Sequence, residues 1–333
     1  MLAGALAAAL IAGCGGSADT DTGGSTTPIE APPLPKKIKV SLDDYEGAEN
    51  VGLLMAEKLG YFDDVGLNVW VGSPARPSNT VYYVTTRIDE LGVAPLPRVA
   101  IARENGLPIV AIGSVIPRPT AAMIWLEQSG IRTLADLKGK TIGIPVVPFQ
   151  EGLLRYVLEG AGLSLEDVQV QQVGYRLVPA LLKNEVDAIF GGSPNIEGVA
   201  LASRGAEPVV KPVQDFGVPT YDQLAVITRE DRAEADPRAM RAFMSAVRRG
   251  TAAAVKDPEA AAKLIVGSFH ADPRITLKEA EGQLKATLPL LSKTGNIDSK
   301  QTEEFLDWMR EQGMIKQPVS ASELLAAQDP SQP

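Results

Sequence analysis

From Lys37 onward the chain alternates between two hydrophobic rhythms. KIKVSL alternates apolar and polar residues as a half-buried strand does. VGLLMAEKLGYF places its apolar residues at helical spacing, and LNVWVG returns to the strand rhythm. NTVYYVTTRIDE and PRVAIARENG read as helices on either side of the short apolar run LGVAP, and PIVAIGSVI and AAMIWL are extended segments rich in Val and Ile. After TLADLKG the pattern repeats, with KTIGIPV as a strand and a helix from Phe149 to Gly160. VQVQQVG, AIFGGS, PVVKPV and LAVITR follow as strands with helices between them. The stretch 236–327 is helical, through PRAMRAFMSAVRRGTAAAV, PEAAAKLIVGSF, LKEAEGQLKATLPLL and TEEFLDWMREQGM.

Repeated βα units predict an α/β fold of mostly parallel sheets flanked by helices. Each of the two sheet sets, roughly 37–127 and 131–220, is too small to account for the whole, and LAVITRED returns toward the first. That order predicts two lobes joined by two crossings, near 127–131 and 218–224. The expected boundaries are 36–128 with 222–333 for lobe 1, and 129–221 for lobe 2. No internal repeat at solenoid periods is present.

The N-terminus departs from this pattern. MLAGALAAALIAGC is a short apolar segment ending in Ile11-Ala12-Gly13-Cys14, which resembles a bacterial lipobox. The other reading is a plain secretory segment that happens to contain a cysteine. Residues 1–14 are expected to be a lipoprotein signal peptide with Cys14 as the lipidation site. No basic residue precedes Leu2, so the true start is expected upstream of Met1. Residues 15–35 are Gly, Ser, Thr, Asp and Pro with almost nothing apolar, the composition of a flexible tether. The expectation is an extracytoplasmic domain held to the membrane through a lipid anchor alone, since no apolar run reaches the length of a membrane-spanning helix.

Over 333 residues, 45% are hydrophobic and 22% charged, which is ordinary globular composition. The net charge of −9 gives no electrostatic footprint for nucleic acid. Lys36, Lys37 and Lys39 form one small basic knot that reads as a solvated strand start. Catalytic signatures are missing. With Cys14 the only cysteine, the chain holds no disulfide, thiol nucleophile or thiolate metal site. His270 is the only histidine and reads as a capping or surface residue, and one histidine makes neither a zinc-protease site nor a supported triad. Neither GKTIGIP nor IFGGSPN matches a phosphate-loop or dinucleotide fingerprint, so no cofactor is expected.

Three runs, GYFDDVGLNVWV, IRTLADLKGKTIGIP and a helix ending in GAGLS, are similar to the substrate-binding proteins of ABC importers for nitrate, sulfonate, taurine and thiamine precursors. A sharper likeness lies in residues 174–228, GYRLVPALLKNEVDAIFGGSPNIEGVALASRG followed by EPVVKPVQDFGVPTYDQLAVIT. It resembles proteins that bind the aminopyrimidine precursor of thiamine, and the fungal pyrimidine synthases related to them. The L-K-G-K-x-I-G element is common across the superfamily, whereas G-G-x-x-N-x-E-G and D-F-G-V-P-x-Y are far more selective. The resemblance covers about 37–325. It implies a two-lobed type 2 periplasmic-binding fold with the ligand trapped between lobes that close about a hinge.

The function it implies is capture, without catalysis, of a flat amine-bearing ring such as a thiamine pyrimidine precursor. The implied protein is a monomer that delivers its ligand to the permease and ATPase subunits of an ABC importer. Taurine or an alkanesulfonate, or riboflavin, is the rival ligand. A pyrimidine-synthase-like enzyme and a ligand-sensing domain are the rival classes. Pyrimidine-binding relatives carry Trp-x-Pro-Asn-x-x-His just after the first strand. Here that place reads Asp44-Tyr45-Glu46-Gly47-Ala48-Glu49-Asn50, without the tryptophan or the histidine. The catalytic histidine and cysteine-rich motif of the fungal synthases also have no counterpart, since His270 lies far from that segment and Cys14 outside the domain.

The stretch DDYEGAENVG, Asp43 to Gly52, lacks the regular spacing and rigid turn of a calcium loop, and no metal is expected. It reads as the first-lobe ligand loop, with Asp43, Asp44, Tyr45 and Asn50 as candidates and Glu46 and Glu49 solvated. Asn195 and Glu197 follow a strand end, where ligands of open α/β sheets gather. Glu197 could accept from a ligand amino group, or the pair could simply cap and compensate a helix. Phe149 and Glu151 open a helix whose carboxylate disfavours an anionic ligand, though Glu151 could serve only the helix dipole. Tyr175 and Tyr221, with Phe149 and Tyr45, are candidates for ring stacking as well as for core. Arg118 could bind an anion or pair on the surface. Pro95, after the LGVA run, completes the candidate set. Trp70 and Trp308 read as core, and Asp187 as structural.

Overall fold

Short apolar runs form strands and longer periodic ones form helices throughout the computed structural model, which describes residues 37–73, 79–145, 148–268 and 275–326. Cys14, the 15–35 tether and His270 lie outside the described residues. In chain order the elements begin with β1 (Ile38–Ser41), α1 (Val51–Lys58), β2 (Val69–Gly72), α2 (Thr80–Thr85), β3 (Leu91–Ala94), α3 (Leu96–Glu104) and β4 (Ile109–Ile116). There follow β5 (Ala122–Leu126), β6 (Thr141–Ile144), α4 (Pro148–Gly160), β7 (Gln169–Gln172), α5 (Leu177–Leu182), β8 (Ala188–Gly192), α6 (Val199–Ser203) and β9 (Pro208–Pro212). A last strand, β10 (Leu224–Arg229), precedes α7 (Glu230–Ala235), α8 (Pro237–Lys256), α9 (Pro258–Gly267), α10 (Leu277–Thr287), α11 (Ser299–Glu311) and α12 (Ala321–Leu324).

The strands make two five-stranded sheets, ordered β2-β1-β3-β10-β4 and β7-β6-β8-β5-β9. Each is mixed in the same way, with one strand running against its neighbours. β10 is antiparallel to β3 and β4, with Val226 opposite Val93 and Gly113. β5 is antiparallel to β8 and β9, with Ile124 opposite Ile189 and Val210. Both strands are buried at every position, as an interior place in a sheet covered on both faces demands. The QVQQ of β7 is exposed throughout and sits at an edge. Helix starts are fixed by side chains: Asp236, Asp257, Thr276 and Asp298 each accept from the amide three residues on.

Two boundaries move. The AAMIWL strand, expected within 36–128, pairs wholly in the second sheet. The first crossing is therefore the stretch 117–121 between β4 and β5, not 127–131. An all-apolar strand needs neighbours on both edges and cover on both faces, and β8 and β9 provide the edges. The second crossing lies in 213–223, between β9 and β10. Hydrogen bonds tie the two together: Gln214 Nε2 donates to the Pro119 carbonyl (2.6 Å) and the Thr120 amide to Gln223 Oε1 (3.2 Å).

The helical tail also does not belong to one lobe. Phe305 and Trp308 of α11 pack on Tyr221 of the second crossing (ring centroids 4.5 Å) and on Tyr156 of α4 (5.0 Å). One apolar cluster accordingly runs from Leu96 and Val99 of α3 through Met123 and Trp125 of β5 to Phe149, Leu153 and Phe305. Trp125 and Trp308 are buried and Trp70 is partly exposed on the edge strand β2, so only the first two are core.

The tightest packing is between α1 and α8. A Cβ on Gly250 would overlap the Gly52 carbonyl and crowd the Ala56 amide, so only glycine allows this approach. Gly250→Ala should cost about 1–3 kcal/mol of stability through overpacking, read as a lower thermal midpoint. Gly160→Ala, which meets nothing within 4 Å, should leave the midpoint unchanged or raise it. Equal midpoints for the two variants would refute the close approach.

Candidate functional site

Parallel strands deliver their following loops to one edge of a sheet. β1 delivers the DDYEGAENVG loop, and β8 delivers a wide helical turn of the π type over Pro194–Gly198. Turns of this type are concentrated at functional sites. Here the Gly198 amide reaches back to the Ser193 carbonyl (3.1 Å), and Glu197 folds its Oε2 onto the Ser193 amide (2.7 Å). Gly192 leaves the space for this, because a Cβ there would press on the Glu197 side chain.

The two lobes meet around this turn. Asn195 Nδ2 donates to Glu49 Oε1 of the first loop (3.1 Å) and to Thr287 Oγ1 of α10 (2.9 Å). Arg204, just past α6, holds both carboxylate oxygens of Glu279 on α10 at 3.0 and 3.2 Å. Beside these bonds lies a cavity of about 130 Å³. A single water needs about 10–15 Å³, so a small organic molecule has room. Asp44, Tyr45, Glu49 and Asn50 line it from the first lobe, Tyr175, Glu197 and Arg204 from the second, and Glu279 and Gln283 from α10.

Of the residues expected at a ligand site, Asp44, Tyr45, Asn50, Tyr175 and Glu197 therefore share one cavity. Asn195 is buried at its edge and bridges the lobes. Asp43 turns the other way and pairs with Arg98 of α3. Pro95 is buried and starts α3 with extended backbone. The remaining four sit elsewhere. Phe149 and Tyr221 are enclosed in the core, where an apolar ring is worth more than at a wet cleft. Glu151 is exposed on α4 and outside the cavity lining. Arg118 is exposed and donates to the Pro289 carbonyl (3.0 Å). Asp187 accepts from the Thr141 amide at 2.8 Å, a structural role.

Glu46 and Glu49, expected in solvent, point inward and line the cavity, because the second lobe's π turn lies over the loop. Arg204, Glu279 and Gln283 escaped the sequence reading altogether. A signal existed: Glu279, Gln283 and Thr287 recur every four residues on a face of α10 that also carries Ala280 and Leu284. All five are buried. A polar stripe on a buried helix face must meet polar partners.

A family model described as NMT1/THI5 like matches residues 48–261. The chain is 29% identical to a protein of Haemophilus influenzae named for thiamine biosynthesis, over 86% of this chain and 91% of the other. It is 28% identical to a formylaminopyrimidine-binding protein of Halalkalibacterium halodurans, over 87% and 89%. Farther off, at 23% identity over 78% and 82%, is a 4-amino-5-hydroxymethyl-2-methylpyrimidine phosphate synthase of Legionella pneumophila. Among solved structures, the alkanesulfonate-binding protein of Xanthomonas axonopodis pv. citri, bound to MOPS, superposes with a TM-score of 0.70 at 17% identity, covering 88% of this chain and 99% of that one. The overall fold is thus that of periplasmic binding proteins.

Among the described residues no group of His, Cys, Asp and Glu has the arrangement of a metal site, and no helix is long and apolar enough to cross a membrane. The cavity's carboxylates instead crowd one another. Burial, then repulsion from Glu197 and Asp43, pushes Glu49 up to about 7 against the Asn195 bond that lowers it. Burial likewise raises Asp44 well above the usual carboxylate range, and raises Glu197. At the second crossing, burial lifts Asp222 to about 6 although Ser114 donates to it. A carboxylate raised in the fold keeps its proton where the unfolded chain has lost it. Its share of stability is therefore present at low pH and lost as pH rises through the folded value. For Glu49 that window runs from 4.5 to about 7. The thermal midpoint of the ligand-free protein should rise as pH falls from about 8 to about 5, measured by calorimetry at fixed ionic strength. A midpoint that falls over this range would contradict the buried carboxylates.

Proposed function

We propose, from the premise that the chain belongs to the NMT1/THI5-like family, that it is an extracytoplasmic solute-binding lipoprotein. It captures a small nitrogen heterocycle of the aminopyrimidine kind and delivers it to an ABC importer. The observation that carries this reading is that both lobes line one cavity, Glu197 and Tyr175 from the second and the Asp44-to-Asn50 loop from the first. A ring amino group donates to a carboxylate, and a flat ring gains from an aromatic face. Walls from two lobes let closure bury the ligand and let reopening release it.

Capture without turnover is supported by the relative named as a formylaminopyrimidine-binding protein, which matches over nearly its full length. The more distant relatives named as synthases are the reason to assay turnover as well. The fold is shared with sulfonate binders, but the cation among the described lining residues, Arg204, is already paired with Glu279, and a sulfonate would meet buried carboxyl groups at Asp44, Glu49 and Glu197.

A thermal-shift panel of aminopyrimidines, thiamine, riboflavin, taurine and nitrate tests the reading, since a ligand that binds only the folded state raises the midpoint. An aminopyrimidine should give the largest shift. A shift with taurine and none with any heterocycle would end the pyrimidine reading. Glu197→Gln should weaken the aminopyrimidine about tenfold or more, the loss of one charge-assisted bond. Unchanged affinity in isothermal calorimetry would remove Glu197 from the site.

A further inference from the structure

We infer that Gln283 of α10 is a specificity-determining residue of the cavity, whose carboxamide reads a ligand edge carrying a hydrogen-bond donor and an acceptor side by side. This deepens the reading above and rests on it. The observation is an imbalance along one helix face. Glu279, Gln283 and Thr287 are spaced four residues apart, so all three project from the side of α10 that packs on α6 and the π turn. The second lobe serves the outer two: Glu279 accepts from Arg204 through both carboxylate oxygens, and Thr287 accepts from Asn195. Gln283, between them, has no hydrogen-bond partner among the described residues.

A buried polar side chain is normally paired, because it has given up water and must recover the bonds elsewhere. Gln283 is 6% exposed and lines the cavity together with Tyr175, Glu197 and Arg204. Its carboxamide is not among the enclosed side-chain groups, in contrast to the Asn50 and Asn195 oxygens. Asn50 also brings a carboxamide to the lining, but with its oxygen enclosed it cannot present both atoms. The Arg204 guanidinium is committed to Glu279. Gln283 is therefore the group placed to be paired by an occupant.

A glutamine carboxamide offers an acceptor oxygen and an N–H donor in one plane. The matching edge is an exocyclic amine next to a bare ring nitrogen, with the amine donating to Oε1 and the ring nitrogen accepting from Nε2. That is the amidine-like edge of an aminopyrimidine. A turned-over carboxamide serves the reverse order, so Gln283 demands the pair and not its order. Replacing the amine by a methyl breaks the pair and keeps the shape. A site built on such bonds rejects that analogue, because its own polar atoms are then left unpaired.

Isothermal calorimetry on the whole chain tests this with 4-amino-2-methylpyrimidine and 2,4-dimethylpyrimidine, on the wild-type protein and on Gln283→Met, which keeps the length and removes both polar atoms. The variant should bind the amino ring about tenfold more weakly, the loss of two neutral hydrogen bonds. It should bind the dimethyl ring as the wild-type protein does, to within about twofold. Its ligand-free thermal midpoint should be unchanged or higher, since an apolar side chain replaces an unpartnered polar one. Unchanged affinity for the amino ring overturns the inference and leaves the aminopyrimidine reading standing. So does an equal loss for both rings, a lowered midpoint or a failure to fold, each of which marks Gln283 as structural. Where the wild-type protein binds the amino ring alone, the loss in the variant at an unlowered midpoint decides. Binding of neither ring to the wild-type protein overturns both readings.

Discussion

One side-chain amide sets how the two lobes meet. Asn195 sits on a turn at the end of a second-sheet strand, and its nitrogen serves an acceptor on the first loop and another on α10. Those two bonds are directional, so they fix position as well as distance. They draw the Asp44-to-Asn50 loop under the π turn, and that position turns Glu49 inward. Glu279 and Arg204 meet beside them, and both lobes line the space between.

Burial has an electrostatic consequence. Carboxylates that would be unremarkable on an open surface are desolvated together, and each raises the cost of ionising the next. These carboxylates therefore hold their protons more readily than on an open surface, and positive charge placed beside them favours their ionisation. The apolar cluster through α3, β5, α4 and α11 works differently, since it joins the two sheets irrespective of charge. The seam therefore joins an apolar base to a polar rim.

Much of the fold was legible in the sequence because periodicity reports which face of an element is buried. KIKVSL, LNVWVG and LAVITR became the strands expected, the short apolar run LGVA became another, and the long amphipathic runs after Asp236 became helices. Periodicity does not report which sheet a strand joins. AAMIWL, apolar at every position, fits the centre of either sheet, and its assignment failed for that reason. The candidate cavity was legible where strand ends pointed to it, at Asp44 and Glu197. It was illegible where a residue's role depended on the other lobe. Glu49 reads as solvated surface until Asn195 is placed over it. Phe149 and Tyr221 read as stacking rings until the apolar cluster that buries both is known, with Phe305 of α11 packed on Tyr221.

The position of β10 bears on how such a chain comes to be folded at all. It is the last strand in sequence, yet it lies between β3 and β4, so the first sheet has a gap until residue 229 is in place. Leu224 pairs with Ile116 across the whole second lobe. Contacts of that sequence separation require closing a long loop before they return any stabilisation, which makes them slow. While synthesis proceeds, the N-terminal third has two strand edges exposed and no central partner. Its sheet is incomplete ahead of the rest. The chain therefore remains threadable until nearly all of it exists, and then closes as a whole.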